Sequence, residues 1–71
     1  MKCGKQYLDI SVYHDARFPA VFEFYGTVAQ AKDEARVKMG QYAGQVGLRS
    51  EIRSVQLNTV VATVDGREAV K

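Results

Sequence analysis

A single amphipathic helical segment stands between two groups of alternating segments, and this order constrains the fold more than any other feature of the chain. Apolar residues recur at three- and four-residue spacing between positions 28 and 46, the pattern of a helix that buries one face. Before and after it, apolar and polar residues alternate, as in strands buried on one side. Because a helix and a sheet each need another layer to cover their apolar side, the order predicts an α+β fold. We expect one helix packed on one face of an antiparallel sheet of four to five strands.

The first two strands are predicted to form a hairpin. Residues 6–14 alternate Leu8, Ile10 and Val12 with polar side chains, and residues 20–25 alternate in the same way. The loop between the two runs is short, which favours an antiparallel pair.

Thr27 and Gln30 mark the predicted start of the helix. Their spacing is that of a capping box, in which each side chain bonds the backbone N–H of the other residue. The apolar pattern predicts a helix of roughly four turns, and Gly44 and Gly47 favour its end near residues 43–46. The apolar face of this helix comprises Val28, Ala31, Ala35, Met39, Tyr42 and Val46.

Two further strands are predicted after the helix. Residues 49–57 form a more polar strand, whose alternation slips between Ile52 and Val55 and so indicates a bulge or an edge position. Residues 60–64 are the most β-prone run of the chain.

The end of the sequence predicts a last hairpin. Asp65-Gly66 is typical of a type I′ turn, so residues 68–70 are expected to add a short strand. The whole chain, residues 1–71, should then be a single domain. The side chains expected to meet the helix are Leu8, Ile10, Val12, Phe22, Phe24, Ile52, Val60, Ala62 and Val64.

Length and charge limit the functions open to this domain. A chain of 71 residues buries only about 60% of its unfolded surface. Ten Lys and Arg face eight Asp and Glu, and their signs alternate, unlike the clustered basic surplus of a dedicated nucleic-acid binder. No run approaches the roughly 20 apolar residues of a membrane span, and the polar start does not resemble a signal peptide. With Cys3 as the only cysteine, these features favour a cytoplasmic protein without a membrane partner.

Few side chains suit catalysis. His14 is the only histidine, and together with Cys3 it makes neither a closed tetrahedral metal site nor a defined nucleophile–base pair. His14 beside Asp15 would act as a general base only in a cleft, which one sheet and one helix rarely enclose. We therefore expect no catalytic residue, no metal and no cofactor.

The sheet face that the helix leaves uncovered is the candidate binding surface. Alternation places tyrosines and arginines there among acidic residues, and it puts Val61 and Thr63 on the same face. Tyr and Arg are enriched in protein interfaces; the alternative interpretation is a solvated face with cross-strand pairs. The predicted partner-binding residues are Tyr7, Tyr13, Tyr25, Arg49 and Arg53.

Two other hypotheses stay open. Lys32, Arg36 and Lys38 form a basic set on the helix, which would contact phosphates if the chain were a nucleic-acid-binding regulatory module. Asp33 and Glu34 stand among them, however, and such a set is more often a solvated helix flank. The other hypothesis is a structural homodimer from a phage or mobile element, paired through an edge strand or the open sheet.

The layout resembles that of small phage-encoded anti-CRISPR proteins. The resemblance rests on the helix opening Thr27-Val28-Ala29-Gln30-Ala31-Lys32 after a short hairpin, and on Ile52-Arg53-Ser54-Val55 followed by a hairpin closing at Asp65-Gly66-Arg67. It covers most of the chain at the level of topology. It implies a small inhibitor without catalytic activity that occupies a Cas effector complex, a nucleoprotein, and blocks binding of target DNA.

Overall fold

In the part of the chain that the structure describes, four strands and one α-helix form two layers. The computed structural model describes residues 4–14 and 17–70. The strands form one antiparallel sheet in the order β2-β1-β3-β4, and the helix packs against it. The predicted α+β class is thus confirmed, with four strands. The elements are β1 (Gln6–Tyr13), β2 (Ala20–Gly26), α1 (Val28–Gly40), β3 (Arg49–Ser54) and β4 (Thr59–Asp65), followed by a 3-10 helix at Gly66–Glu68.

The core lies between α1 and the two central strands, β1 and β3. Small side chains on α1 allow the helix to approach the sheet closely, and Met39 fills the space near its end because its thioether chain adapts to irregular gaps. Phe22 and Phe24 are only half-buried, since α1 lies mainly over β1, β3 and β4 and less over β2. The fully buried apolar residues are Leu8, Ile10, Val12, Ala31, Ala35, Met39, Ile52 and Val64.

The predicted capping box is present at the start of α1. The Thr27 hydroxyl accepts a hydrogen bond from the Gln30 backbone N–H at 3.1 Å, and the Gln30 side-chain oxygen accepts one from the Thr27 N–H at 3.0 Å. Both N–H groups would otherwise lack a partner within the helix. The capping box therefore sets the start of α1 at Val28, with Thr27 as the single residue between β2 and the helix.

We expect Thr27→Ala to lower the free energy of unfolding by about 1 kcal/mol, because it removes the acceptor of the Gln30 N–H. Urea unfolding followed by circular dichroism measures the change. Thr27→Ser is the matched control, since it keeps the hydroxyl and should unfold close to the wild type. An equal loss in both variants would contradict a role for the cap.

The end of α1 was predicted too late. The helix ends at Gly40, and Gln41, Tyr42 and Ala43 then bond three residues back, in tight turns. Such bonds tighten and close a helix end. Tyr42 still packs against the core, but Val46 is 82% exposed, so its placement on the buried face was wrong.

The predicted bulge is present in the pairing of the third strand, but its extra residue lies on β4 and not within residues 49–57. The pairing of β3 with β4 shifts between Ile52 and Arg53: Ile52 faces Ala62, whereas Arg53 faces Val60, so Val61 is an extra residue on β4. β3 lies inside the sheet, so the alternative of an edge position was wrong.

The bulge also changes which valines are buried. Val60 shares a face with Arg53 and is 41% exposed, so its place in the predicted core was wrong. Val61 packs against the core rather than standing on the uncovered face. The two residues exchange roles because an extra residue reverses the alternation beyond it. The third strand is also shorter than predicted: it ends at Ser54 and a turn follows at residues 55–58.

The prediction of a last hairpin was also wrong. Asp65 caps a 3-10 helix by accepting a hydrogen bond from the Arg67 N–H at 2.9 Å, the local bond that makes Asp a strong cap. The backbone then turns toward α1, where the Val70 N–H donates to the Arg36 carbonyl at 2.9 Å. The residues predicted as a fifth strand thus hold the end of the described chain against the helix. In the described part of the chain, no helix has the length and apolar character to cross a bilayer.

Candidate protein-binding surface

Strand pairing arranges the uncovered side of the sheet, here called the open face, in rows. Directly paired residues of antiparallel strands share a face. All of the predicted partner-binding residues lie on it. The rows are Tyr25 with Tyr7; Glu23 with Asp9, Arg53 and Val60; Val21 with Ser11, Glu51 and Thr63; and Tyr13 with Arg49 and Asp65.

Two exposed tyrosines form one end of the open face. Tyr7 and Tyr25 are 69% and 57% exposed, and their ring centroids are 4.8 Å apart at a tilt of 54°. Val55 extends this apolar end, because its N–H donates to the Tyr7 carbonyl at 3.2 Å and its side chain is exposed. The strands therefore hold a contiguous apolar surface in water.

A self-contained network occupies the other end. The Arg49 guanidinium lies over the Tyr13 ring, 4.1 Å from its centroid, and donates to a Glu51 carboxylate oxygen at 2.7 Å. The Tyr13 hydroxyl donates to the other oxygen at 3.2 Å. This end fits the alternative interpretation of the face, cross-strand pairs that satisfy one another.

The middle of the face carries charges without such partners. Arg53 is exposed and makes no ion pair with another described residue, although it lies across from Asp9. Beside this row, a cleft of about 260 Å³ opens under the tyrosine end. Its lining residues are Tyr7, Leu8, Asp9, Glu23, Phe24 and Val55.

The basic set on α1 is largely occupied within the molecule. Arg36 bonds Asp33 at 2.6 Å and Glu68 at 3.0 Å, and the hydrogen bond from Arg36 lowers the pKa of the Glu68 carboxyl. Lys38 lies 3.6 Å from Glu34 and 4.8 Å from the centroid of the Phe22 ring. Of the predicted set, only Lys32 keeps its charge out of an ion pair with the described residues. This arrangement does not favour phosphate binding by the set.

His14 takes part in packing. Its ring stacks on Tyr42 with centroids 4.2 Å apart and an angle of 13°, a contact between distant residues that alternation does not reveal. Asp15 and Cys3, the other groups considered for catalysis, lie outside the described residues. Among residues 4–14 and 17–70, no three His, Cys, Asp or Glu side chains are grouped so as to hold a metal ion.

The open face thus combines an apolar end, a polar end whose side chains bond one another and a charged middle row. Comparisons with protein-family models, with curated proteins and with solved structures found no match.

Proposed function

We propose that the protein is a small inhibitory binding protein without catalytic activity, which docks on a protein or nucleoprotein partner through the open face. The observation that supports this most directly is the exposed tyrosine pair. Tyr7 and Tyr25 are both more than half exposed, lie in contact and continue into Val55. Scattered exposed apolar residues are ordinary on a protein surface, whereas a contiguous group marks an interaction site.

The strand pairing and side-chain contacts that hold these residues in place favour binding. Both tyrosines stand on strands that pair with each other, and Tyr13 is held by Arg49 and Glu51. A surface that is ordered before association loses little conformational entropy when the partner arrives. Tyr and Arg are also the residues most often responsible for large binding energies at interfaces.

The identity of the partner is proposed from the resemblance to anti-CRISPR proteins. A domain of 71 residues with one uncovered sheet face is suited to occupying another protein's surface, because a single helix and sheet enclose no deep cleft. The proposed target is a Cas effector complex, and the proposed effect is to block binding of target DNA. The direct test of this assignment is inhibition of an effector complex.

We expect the protein to prevent a guide-loaded Cas effector complex from binding its target DNA, and Tyr7→Ala to weaken this inhibition. Loss of an aromatic hot-spot residue costs about 2 kcal/mol, which is roughly 30-fold in Kd. The measurements are a gel-shift assay of target binding and calorimetric titration of the effector complex. Val37→Ala is the matched control, because Val37 is an exposed apolar residue of α1, on the layer away from the open face.

Two outcomes would count against the proposal. Effector complexes that bind DNA normally in the presence of the protein would reject the anti-CRISPR form of it. The second outcome is measured with the purified partner. If replacing each of the predicted partner-binding residues by Ala left the Kd unchanged, the open face would not be the docking surface. Those residues are Tyr7, Tyr13, Tyr25, Arg49 and Arg53.

A further inference from the structure

We propose that the cleft beside Tyr7 receives a lysine or arginine side chain of the partner protein. This inference rests on the proposed function, since it assigns the chemistry that the open face recognises.

Asp9 and Glu23 differ from the other described carboxylates. Neither makes an ion pair with a described residue, whereas the remaining described acidic residues all do. The paired ones are Asp33, Glu34, Glu51, Asp65 and Glu68.

The two exceptions face each other. Asp9 and Glu23 are direct partners in the pairing of β1 with β2, and like charges in this position destabilise a sheet. Arg53 is the partner of Asp9 on the other side, yet it makes no ion pair with it. A local arrangement that costs stability without an evident compensation within the fold is where function is expected.

The shape of the cleft suits a long cationic side chain. Tyr7 supplies an aromatic wall and Val55 an aliphatic one. Leu8 and Phe24 also border the cleft, but their side chains belong to the core side of the sheet. Lys and Arg carry an apolar stem that packs along such walls and a charged end that stays solvated or paired. Aromatic rings attract a cation placed over them, and Asp9 and Glu23 would accept its hydrogen bonds. At about 260 Å³, the cleft is below the usual size of a pocket for a drug-sized ligand.

The charge of the whole face narrows the choice of occupant. Its rows contain four carboxylates and two guanidinium groups, a net charge of −2. Arg67, which pairs with Asp65, reduces this to −1, and the remaining negative charge repels phosphate. A second copy of this chain is also disfavoured, because a two-fold dimer through this face would set one negative surface against the other. A different protein with a basic surface is the complementary partner. The charged residues of the face are Asp9, Glu23, Glu51, Asp65, Arg49 and Arg53.

The test uses the free protein and a blocked tripeptide, acetyl-Gly-Arg-Gly-amide, followed by NMR. We expect the arginine peptide to shift the NMR resonances of the backbone amides at the cleft. The peptide with Gln in place of Arg should leave these resonances unchanged. Asp9→Asn and Glu23→Gln should each weaken binding of the arginine peptide about 10-fold, the effect of losing a charge-assisted hydrogen bond. Glu34→Gln is the control, since that carboxylate is paired with Lys38; its binding should match the wild type.

The same variants test the cost of the acidic pair. Without peptide, Asp9→Asn and Glu23→Gln should raise Tm by about 1–4 °C, because each relieves the repulsion across the two strands. Glu34→Gln should give no increase, since it breaks an ion pair. Selective arginine binding together with this rise in Tm would support the proposal.

Three results would overturn it. One is a rise in Tm without selective binding of the arginine peptide. The second is that the arginine peptide shifts the amide resonances near the paired carboxylates as strongly as those near Asp9 and Glu23. The third is self-association in sedimentation that Asp9→Asn abolishes, since the cation would then come from a second copy. If the tyrosine variants weaken partner binding while Asp9→Asn and Glu23→Gln do not, this inference fails and the proposed function stands.

Discussion

Ile52→Ala should lower the free energy of unfolding by about 2–5 kcal/mol, the cost of removing a buried branched side chain and leaving a cavity. Ile52 is fully buried in β3 and faces Ile10 on one side and Ala62 on the other. A domain of this size has a total stability of only roughly 4–10 kcal/mol. The variant should therefore lose a large part of it, which urea unfolding monitored by circular dichroism would measure.

Val60→Ala is the informative control for that experiment. Alternation alone places Val60 in the core, whereas the bulge turns it to the open face. We expect it to cost less than about 1 kcal/mol, as partly exposed substitutions usually do. Equal destabilisation by Val60→Ala and Ile52→Ala would contradict the bulge.

Gly66→Ala should destabilise the protein by about 1–3 kcal/mol, the usual cost of forcing atoms into a packed site. A Cβ at this position would overlap the Leu48 carbonyl oxygen and lie 2.7 Å from the carbonyl carbon. Both are backbone atoms at the entrance to β3, so no rotamer change relieves the contact. The 3-10 helix would have to move away from Leu48, which would also disturb the bond between Glu68 and Arg36.

Thermal unfolding of Gly66→Ala should be compared with that of Arg67→Ala. Arg67 is the next residue and its side chain is 91% exposed, so its removal is expected to leave Tm close to that of the wild type. Nuclear magnetic resonance of the Val70 amide would show whether the end of the described chain has left α1. A Gly66→Ala variant as stable as the wild type would mean that this approach to Leu48 is not needed for folding.

Short-range patterns predicted most of the fold. Thr27 and Gln30 fixed the start of the helix because a capping box is a local chemical signal. Leu8, Ile10 and Val12 were assigned to the core because strand alternation requires no knowledge of the partner strand.

The predictions that were wrong concern residues whose positions depend on contacts with distant parts of the chain. The exchange of Val60 and Val61 follows from where β4 pairs with β3, and the Asp65-Gly66 turn became a helix cap because the following residues dock on α1. Neither outcome is encoded in a single short segment.

For the candidate site too, some features could be predicted from short-range patterns and others could not. The face of each tyrosine and arginine could be predicted from alternation. The neighbours of those residues could not, because the contact of Tyr13 with Arg49 and the apposition of Asp9 with Glu23 depend on strand register. The register of β1 with β2 is set by their connecting loop, whose length gives only an approximate guide.

The position of β1 inside the sheet has a consequence for synthesis. Within this sheet β1 is translated before the other strands, yet it pairs on one side with β3, where Leu8 meets Ser54 far along the chain. A nascent chain that ends after α1 can form the β1–β2 hairpin, but one edge of β1 stays bare until β3 is made. Unpaired edges and uncovered apolar surface promote association between chains. Between translation of β1 and of β3, this bare edge is therefore open to pairing with another chain.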